Sequence, residues 1–68
     1  MPPYQQVAAW LREQIISGEI APGAVLPSVT HLMQEFGIAK LTAQKALRVL
    51  RDEGLAEVVP GWGTFARH

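Results

Sequence analysis

The chain has no cysteine, which excludes disulfides and thiolate metal sites and leaves the redox compartment unread. No apolar run approaches the roughly 20 residues of a membrane span. The N-terminus also lacks the basic-then-apolar order of a secretory signal, so a soluble intracellular protein is expected. Net charge is missing too: six Lys and Arg balance six Asp and Glu, so the total points to no polyanionic partner. Only two histidines are present. No metal-ligand spacing, no carboxylate pair in a pocket-forming context and no phosphate-cradling glycine loop before a helix can be found. With so small a core there is little room for a substrate cavity. Catalysis, a metal and a cofactor are therefore not expected.

What is present describes one small globular unit over residues 1–68. Apolar residues make up 49% and charged residues 18% of the chain, which argues against a disordered tail. At 68 residues a domain buries only about 60% of the surface its unfolded chain exposes, enough for one modest core. The charges are unevenly placed. Residues 38–51 hold Lys40, Lys45, Arg48 and Arg51 and no acid, whereas the rest of the chain carries Arg12 and Arg67 against all six acids. Such asymmetry is a footprint of polyanion binding that a neutral total conceals, with a merely solvated basic helix face as the alternative.

Periodicity orders the elements. A first helix is predicted from about Tyr4, after Pro2 and Pro3, with Tyr4, Val7, Ala8, Leu11, Ile15 and Ile16 on one stripe and Gly18 as its stop. Pro22-Gly23 marks a turn, and Val25-Leu26 a very short strand. Ser28 is a good N-cap for a second helix to about Phe36, burying Leu32, Met33 and Phe36. Gly37 ends it, and two or three residues later a third helix runs from about Lys40 to Glu53. Two short helices joined by a tight glycine turn make a helix-turn-helix pattern. The third helix buries Ala43, Ala46, Leu47 and Leu50, which places Lys40, Leu41, Gln44, Lys45 and Arg48 outward. After Gly54 the period changes to that of a hairpin, residues 55–59, then a Pro60-Gly61-Trp62-Gly63 turn, then Thr64-Phe65-Ala66 returning. The predicted fold is α+β, mainly α: a winged helix-turn-helix of three helices plus a C-terminal β-hairpin wing.

The residues Leu26-Pro27-Ser28, Leu32, Phe36-Gly37-Ile38, Thr42, Ala46-Leu47, Leu50, Glu53-Gly54-Leu55 and Gly61-Trp62-Gly63-Thr64-Phe65 resemble the gluconate-repressor (GntR) family. The likeness runs from about residue 4 to 66. It implies a bacterial transcription regulator, usually a repressor, cytoplasmic and nucleoid-associated. In that family the third helix enters the major groove and the wing lies along the minor groove or backbone. Carried over residue by residue, the basic opener of the third helix is Lys40, the threonine is Thr42, and the wing tip is Pro60 to Gly63. Ser28 opens the second helix, and Thr30 stands where the family has a DNA-contacting arginine. Further departures are Ala39 for a capping serine, Leu41 for threonine, Gln44 for arginine, Lys45 and His31 for acids, and Trp62 for a basic or polar tip residue. The scaffold matches while the reading face is rewritten, so the likeness implies a function class and not a target sequence.

The expected DNA-binding set is therefore Ser28, Thr30, Lys40, Leu41, Thr42, Gln44, Lys45, Arg48, Gly61, Trp62 and Gly63. Gln44 can bond an adenine edge, Lys45 can donate to guanine and Leu41 can pack on a thymine methyl. Lys40, Thr42, Arg48 and Arg51 are phosphate candidates, although Arg51 could instead pair with Glu53 or Glu57. Trp62 could fold back over the core or lie on a sugar-phosphate edge. His31 is expected to face solvent and Trp10 to pack within the first helix's contacts. The competing reading is a protein-interaction module that uses Leu41 and Trp62. The family's metabolite-sensing, dimerising domain is not expected within these residues, leaving either an excised reading head or a stand-alone small regulator. The expectation is a monomer that pairs on a pseudo-palindromic operator, with no membrane partner.

Overall fold

A computed structural model of the protein describes residues 1–67. Within them the elements run α1 (Pro3–Ser17), α2 (Val29–Phe36), α3 (Lys40–Asp52), β1 (Ala56–Val59) and β2 (Gly63–Ala66). The predicted winged helix-turn-helix is the observed architecture. α3 is its hub, packing against α1, α2 and β1.

α1 begins one residue before the sequence reading placed it, because Pro3 fits the first helical position, where no amide hydrogen is needed. The Pro2 carbonyl accepts from the amides of Gln5 and Gln6 at 3.0 and 3.1 Å. Val7, Ala8, Leu11 and Ile15 are buried, whereas Ile16 is exposed and lies outside the stripe. α2 starts on its predicted cap: the Ser28 hydroxyl accepts from the His31 amide at 3.1 Å. Leu32 is fully buried, Met33 and Phe36 pack on the core from its edge, and Trp10 meets Phe36 edge-on with ring centroids 5.5 Å apart. Trp10 thus packs as expected but at the border, 41% exposed. Gly37 turns the chain between the helices with φ +64°, a left-handed conformation in which a Cβ would be strained.

α3 opens without a side-chain cap at Ala39, and its first backbone bond runs from the Ala43 amide to the Ala39 carbonyl at 3.0 Å. Ala43, Ala46, Leu47 and Leu50 face inward, as their spacing predicts. The helix ends at Asp52, with Glu53 as the capping position. There Glu53 binds Arg12 of α1 through two bonds, Nε to Oε1 at 2.8 Å and Nη2 to Oε2 at 2.7 Å. The bidentate fork holds the Glu53 carboxyl below its ordinary range and raises the Arg12 guanidinium. Both side chains are about one-third exposed, so the pair is a fastening of α1 to α3 at the protein surface.

The hairpin pairs Ala56 with Ala66, Glu57 with Phe65, Val58 with Thr64 and Val59 with Gly63. The returning strand starts at Gly63, one residue earlier than predicted. Ala56 and Ala66 face the core. The expected strand at Val25-Leu26 is reduced to a single bridge from Val25 to Phe65. Pro27 cannot donate to a ladder, which stops the pairing there. The segment still braces the wing: Leu26 donates to the Thr64 carbonyl at 2.7 Å, Ala66 to Ala24 at 2.8 Å and Gly23 to Ala66 at 2.9 Å.

Two stability experiments follow from these contacts. In urea denaturation, Ser28→Ala should cost about 1 kcal/mol, and Ala39→Ser should add a similar amount by supplying the missing cap. Glu53→Gln should cost a few tenths to about 1 kcal/mol at pH 7, the range for solvent-exposed pairs. Because the folded carboxyl titrates below its unfolded value, the pair's contribution is present above the ordinary glutamate pKa of about 4.3 and is lost as pH falls through the lower folded value. The stability gap between wild type and Glu53→Gln should therefore close as the pH is lowered through the ordinary glutamate range and below it.

Candidate nucleic-acid interface

The outward side of α3 follows from what its inward side buries. With Ala43, Ala46, Leu47 and Leu50 in the core, the 100° step per residue places Leu41, Lys45 and Arg48 opposite them and Gln44 and Thr42 on the two flanks. Lys40, Leu41, Lys45 and Arg48 are exposed, while Thr42 and Gln44 are half-buried. Leu41 is 78% exposed.

The Gln44 flank faces the wing. Gln44, Arg48 and Arg51 line an open groove whose far wall is Val58 and Thr64 of the hairpin and whose end is Val29 of α2. Ser28 and Thr30, the exposed neighbours of Val29 in sequence, are not among the residues that line this groove; Ser28 lines a separate surface hollow with Trp10 and His31. The Ser28 hydroxyl is already occupied by its capping bond. The Thr42 flank turns toward α1, where the Lys45 Nζ sits 4.2 Å from the centre of the Tyr4 ring. A cation over a ring face is attracted by the ring quadrupole, so this contact draws Lys45 away from the wing side of the helix. Pro60 to Gly63 form the exposed tip of the hairpin. The Trp62 amide donates to the Val59 carbonyl at 3.0 Å, and Gly61, at φ +81°, supplies the left-handed corner of that turn. Trp62 is 78% exposed and does not fold back over the core.

Electrostatics single out one helix. Arg12 is bound to Glu53, Arg67 lies 3.9 Å from Glu57, and Arg51 lies 3.2 Å from Asp52. Among the described residues, the Lys and Arg side chains without an ion-pair partner are Lys40, Lys45 and Arg48, all on α3. For Arg51 the sequence reading is corrected: its carboxylate partner is the adjacent Asp52, because Glu53 is held by Arg12 and Glu57 faces Arg67. His31 faces solvent and reaches Glu35 one turn on, at 2.8 Å. Sequence reasoning missed the Tyr4–Lys45 contact and the Val58 and Thr64 wall. Tyr4 reads as an ordinary member of the α1 stripe, and no spacing within one helix reveals which ring lies under a lysine of another. Among the described residues, no group of three or more His, Asp or Glu could hold a metal ion, and no helix is long and apolar enough to cross a membrane.

Residues 3–66 match the family of bacterial regulatory proteins, gntR family. The chain is 41% identical over 66 residues to the mannosyl-D-glycerate transport/metabolism system repressor MngR of Escherichia coli K12, covering 97% of this chain and 28% of that protein. It is 40% identical over 65 residues to the transcriptional repressor NagR of Bacillus subtilis, covering 96% of this chain and 27% of that one. The chain thus spans less than a third of the length of these relatives. The DNA-binding domain of AraR, solved in complex with its operator ORR3, superposes with a TM-score of 0.92 at 38% identity, over 97% of this chain and 80% of that one. Membership is shown by the family match over nearly the full length, and the fold agrees with it: this chain belongs to the gntR family of bacterial regulatory proteins.

Proposed function

We propose that this chain is the operator-reading unit of a bacterial transcription regulator, a repressor by the kinship it shows, and that it binds duplex DNA sequence-specifically. α3 enters the major groove, and the wing lies along the neighbouring minor groove or backbone. The observation that carries this reading is the confinement of unneutralised cations to α3. Wherever else a lysine or arginine occurs in the described chain, an acid sits beside it, so the face that attracts phosphate is α3 despite a net charge of zero.

Roles follow from position. Lys40, at the opening of α3, stands beside the first-turn amides that lack intrahelical acceptors, a setting that favours phosphate. Arg48 and Lys45 flank the helix, one toward the wing groove and one toward Tyr4, and each suits a phosphate on its own side. Thr42 adds a hydroxyl on the Lys45 flank. Gln44, in the wing-side groove, is the residue placed to bond an adenine edge, and Leu41, bare at the front, to pack on a thymine methyl. Ser28 and Thr30 present the start of α2 to the backbone, and Gly61 and Gly63 let the wing tip approach closely. The chain acts by binding and not by catalysis, in the cytoplasm, as a monomer that pairs on a pseudo-palindromic site.

A second reading has one observation in its favour: Leu41 and Trp62 are each 78% exposed, as the anchors of a protein contact would be. Salt separates the two. Neutralising each phosphate releases counterions, so three cations give a slope of log K against log salt of about −3, whereas an apolar protein contact has almost none.

Fluorescence anisotropy with duplexes selected from a random pool tests the assignment. Lys40→Ala and Arg48→Ala should each weaken binding across all sequences and flatten the salt slope by about 1. Gln44→Ala should keep the slope and relax preference at one position, at a cost of about 1–3 kcal/mol there. An unchanged site preference in Gln44→Ala would reject this reading face. By sedimentation equilibrium the free chain should be monomeric, and a tight dimer without DNA would contradict the DNA-templated pairing.

A further inference from the structure

The wing tip is built to hold an apolar group out in water. Pro60 fixes one corner of the turn and Gly61 the other, at φ +81°. The Trp62 amide is tied to the Val59 carbonyl at 3.0 Å, and the strand behind the tip is braced by Leu26 donating to Thr64 at 2.7 Å. On this stiff mount the indole is 78% exposed. Residues 59–64 contain no lysine or arginine. The wing's remaining charges, Glu57 and Arg67, face each other at 3.9 Å. The tip therefore has no ionic means of holding a phosphate backbone.

Resting on the DNA-binding reading above, we infer that Trp62 makes an apolar, salt-independent contact in the minor groove, packing its indole against the sugar walls and wedging at a deformable base step. The chemistry of both partners supports this. An indole offers a broad apolar body and a single N–H donor. The minor groove of an A·T step offers a floor of acceptors only, adenine N3 and thymine O2. The wing is continuous with the cationic helix, since Val58 and Thr64 share one groove with Gln44 and Arg48. A duplex seated on α3 thus brings its adjacent groove toward the tip. Apolar wedges of this kind act by partly unstacking a step. The contact then selects flexible pyrimidine–purine steps at positions where no base edge is read.

The indole is its own reporter. The chain has two tryptophans, and Trp10 packs edge-on against Phe36, away from that groove's lining. Trp10→Phe keeps the aromatic edge contact and leaves Trp62 as the sole tryptophan, which red-edge excitation reads apart from Tyr4. In that background, saturating duplex should change Trp62 emission and protect it from acrylamide quenching. In the otherwise native chain, Trp62→Ala should weaken duplex binding about tenfold, within the range seen for aromatic–base contacts, while leaving the salt slope unchanged. Trp62→Phe should recover most of the loss. Trp62→Lys should bind with a slope steeper by about 1, as one more cation demands. Trp62 equally open to acrylamide in the bound state, or Trp62→Ala binding as wild type, would overturn the wing contact while leaving the helix reading intact. A flatter slope in Trp62→Ala would show an ionic role and overturn it as well. Sedimentation of the free chain showing self-association that Trp62→Ala abolishes would assign the indole to a second copy instead. No anisotropy change with any duplex would sink the parent reading and this one together.

Discussion

The distribution of ion pairs is the constraint on which the functional reading depends. A chain of zero net charge presents a cationic face only where its acids lie elsewhere, and here three of the six are placed beside arginines. Glu53 grips Arg12 across the α1–α3 contact, Asp52 sits against Arg51, and Glu57 faces Arg67. Glu35 lies beside His31, and Glu13 and Glu19 belong to α1 and the turn after it. The long stretch of α3 from Lys40 to Arg48 keeps three cations that, among the described residues, no carboxylate neutralises. Each pair is weak in stability terms, as exposed pairs are. Their larger consequence is where they leave the potential.

The fold positions that face with few parts. α3 is covered on three sides, by α1, α2 and β1, so its remaining side is presented to solvent. The tight turn at Gly37 fixes α2 against it, which brings Val29, between Ser28 and Thr30, to the end of the groove that Gln44 and Arg48 line. The hairpin supplies the opposite wall and is kept from swinging by backbone bonds to residues 23–26. α3, Val29 of α2 and the hairpin thus share one open groove.

Much of this was legible in the sequence because it rests on local signals. The Ser28 cap, the glycine stops, the inward stripe of α3 and the turn at Pro60-Gly61 each depend on a few neighbouring residues, and each is found where expected. What was not legible depends on which element lies against which. Arg51 reads as a partner for Glu53 or Glu57 by proximity in sequence, but Arg12, 41 residues away from Glu53, reaches it first. Tyr4 reads as core, but its ring also carries Lys45, an inter-helix contact that periodicity cannot see. Trp62 could be read as folding back over the core or lying on a sugar-phosphate edge, and its 78% exposure rules out the first. The expected short strand at Val25-Leu26 is a single bridge, because Pro27 ends the pairing that Val25 favours.

We take the unneutralised face of α3 to be the DNA-binding surface. Titrating the isotopically labelled chain with a selected duplex in dilute buffer, and following its amide signals, tests this most directly. Shifts should concentrate at Lys40 to Arg48 and at Pro60 to Gly63, and should spare the acidic end of α1 and the turn after it, Glu13 to Glu19. If the amides of α3 and the hairpin tip stay still while binding is measured by any other means, the reading is contradicted.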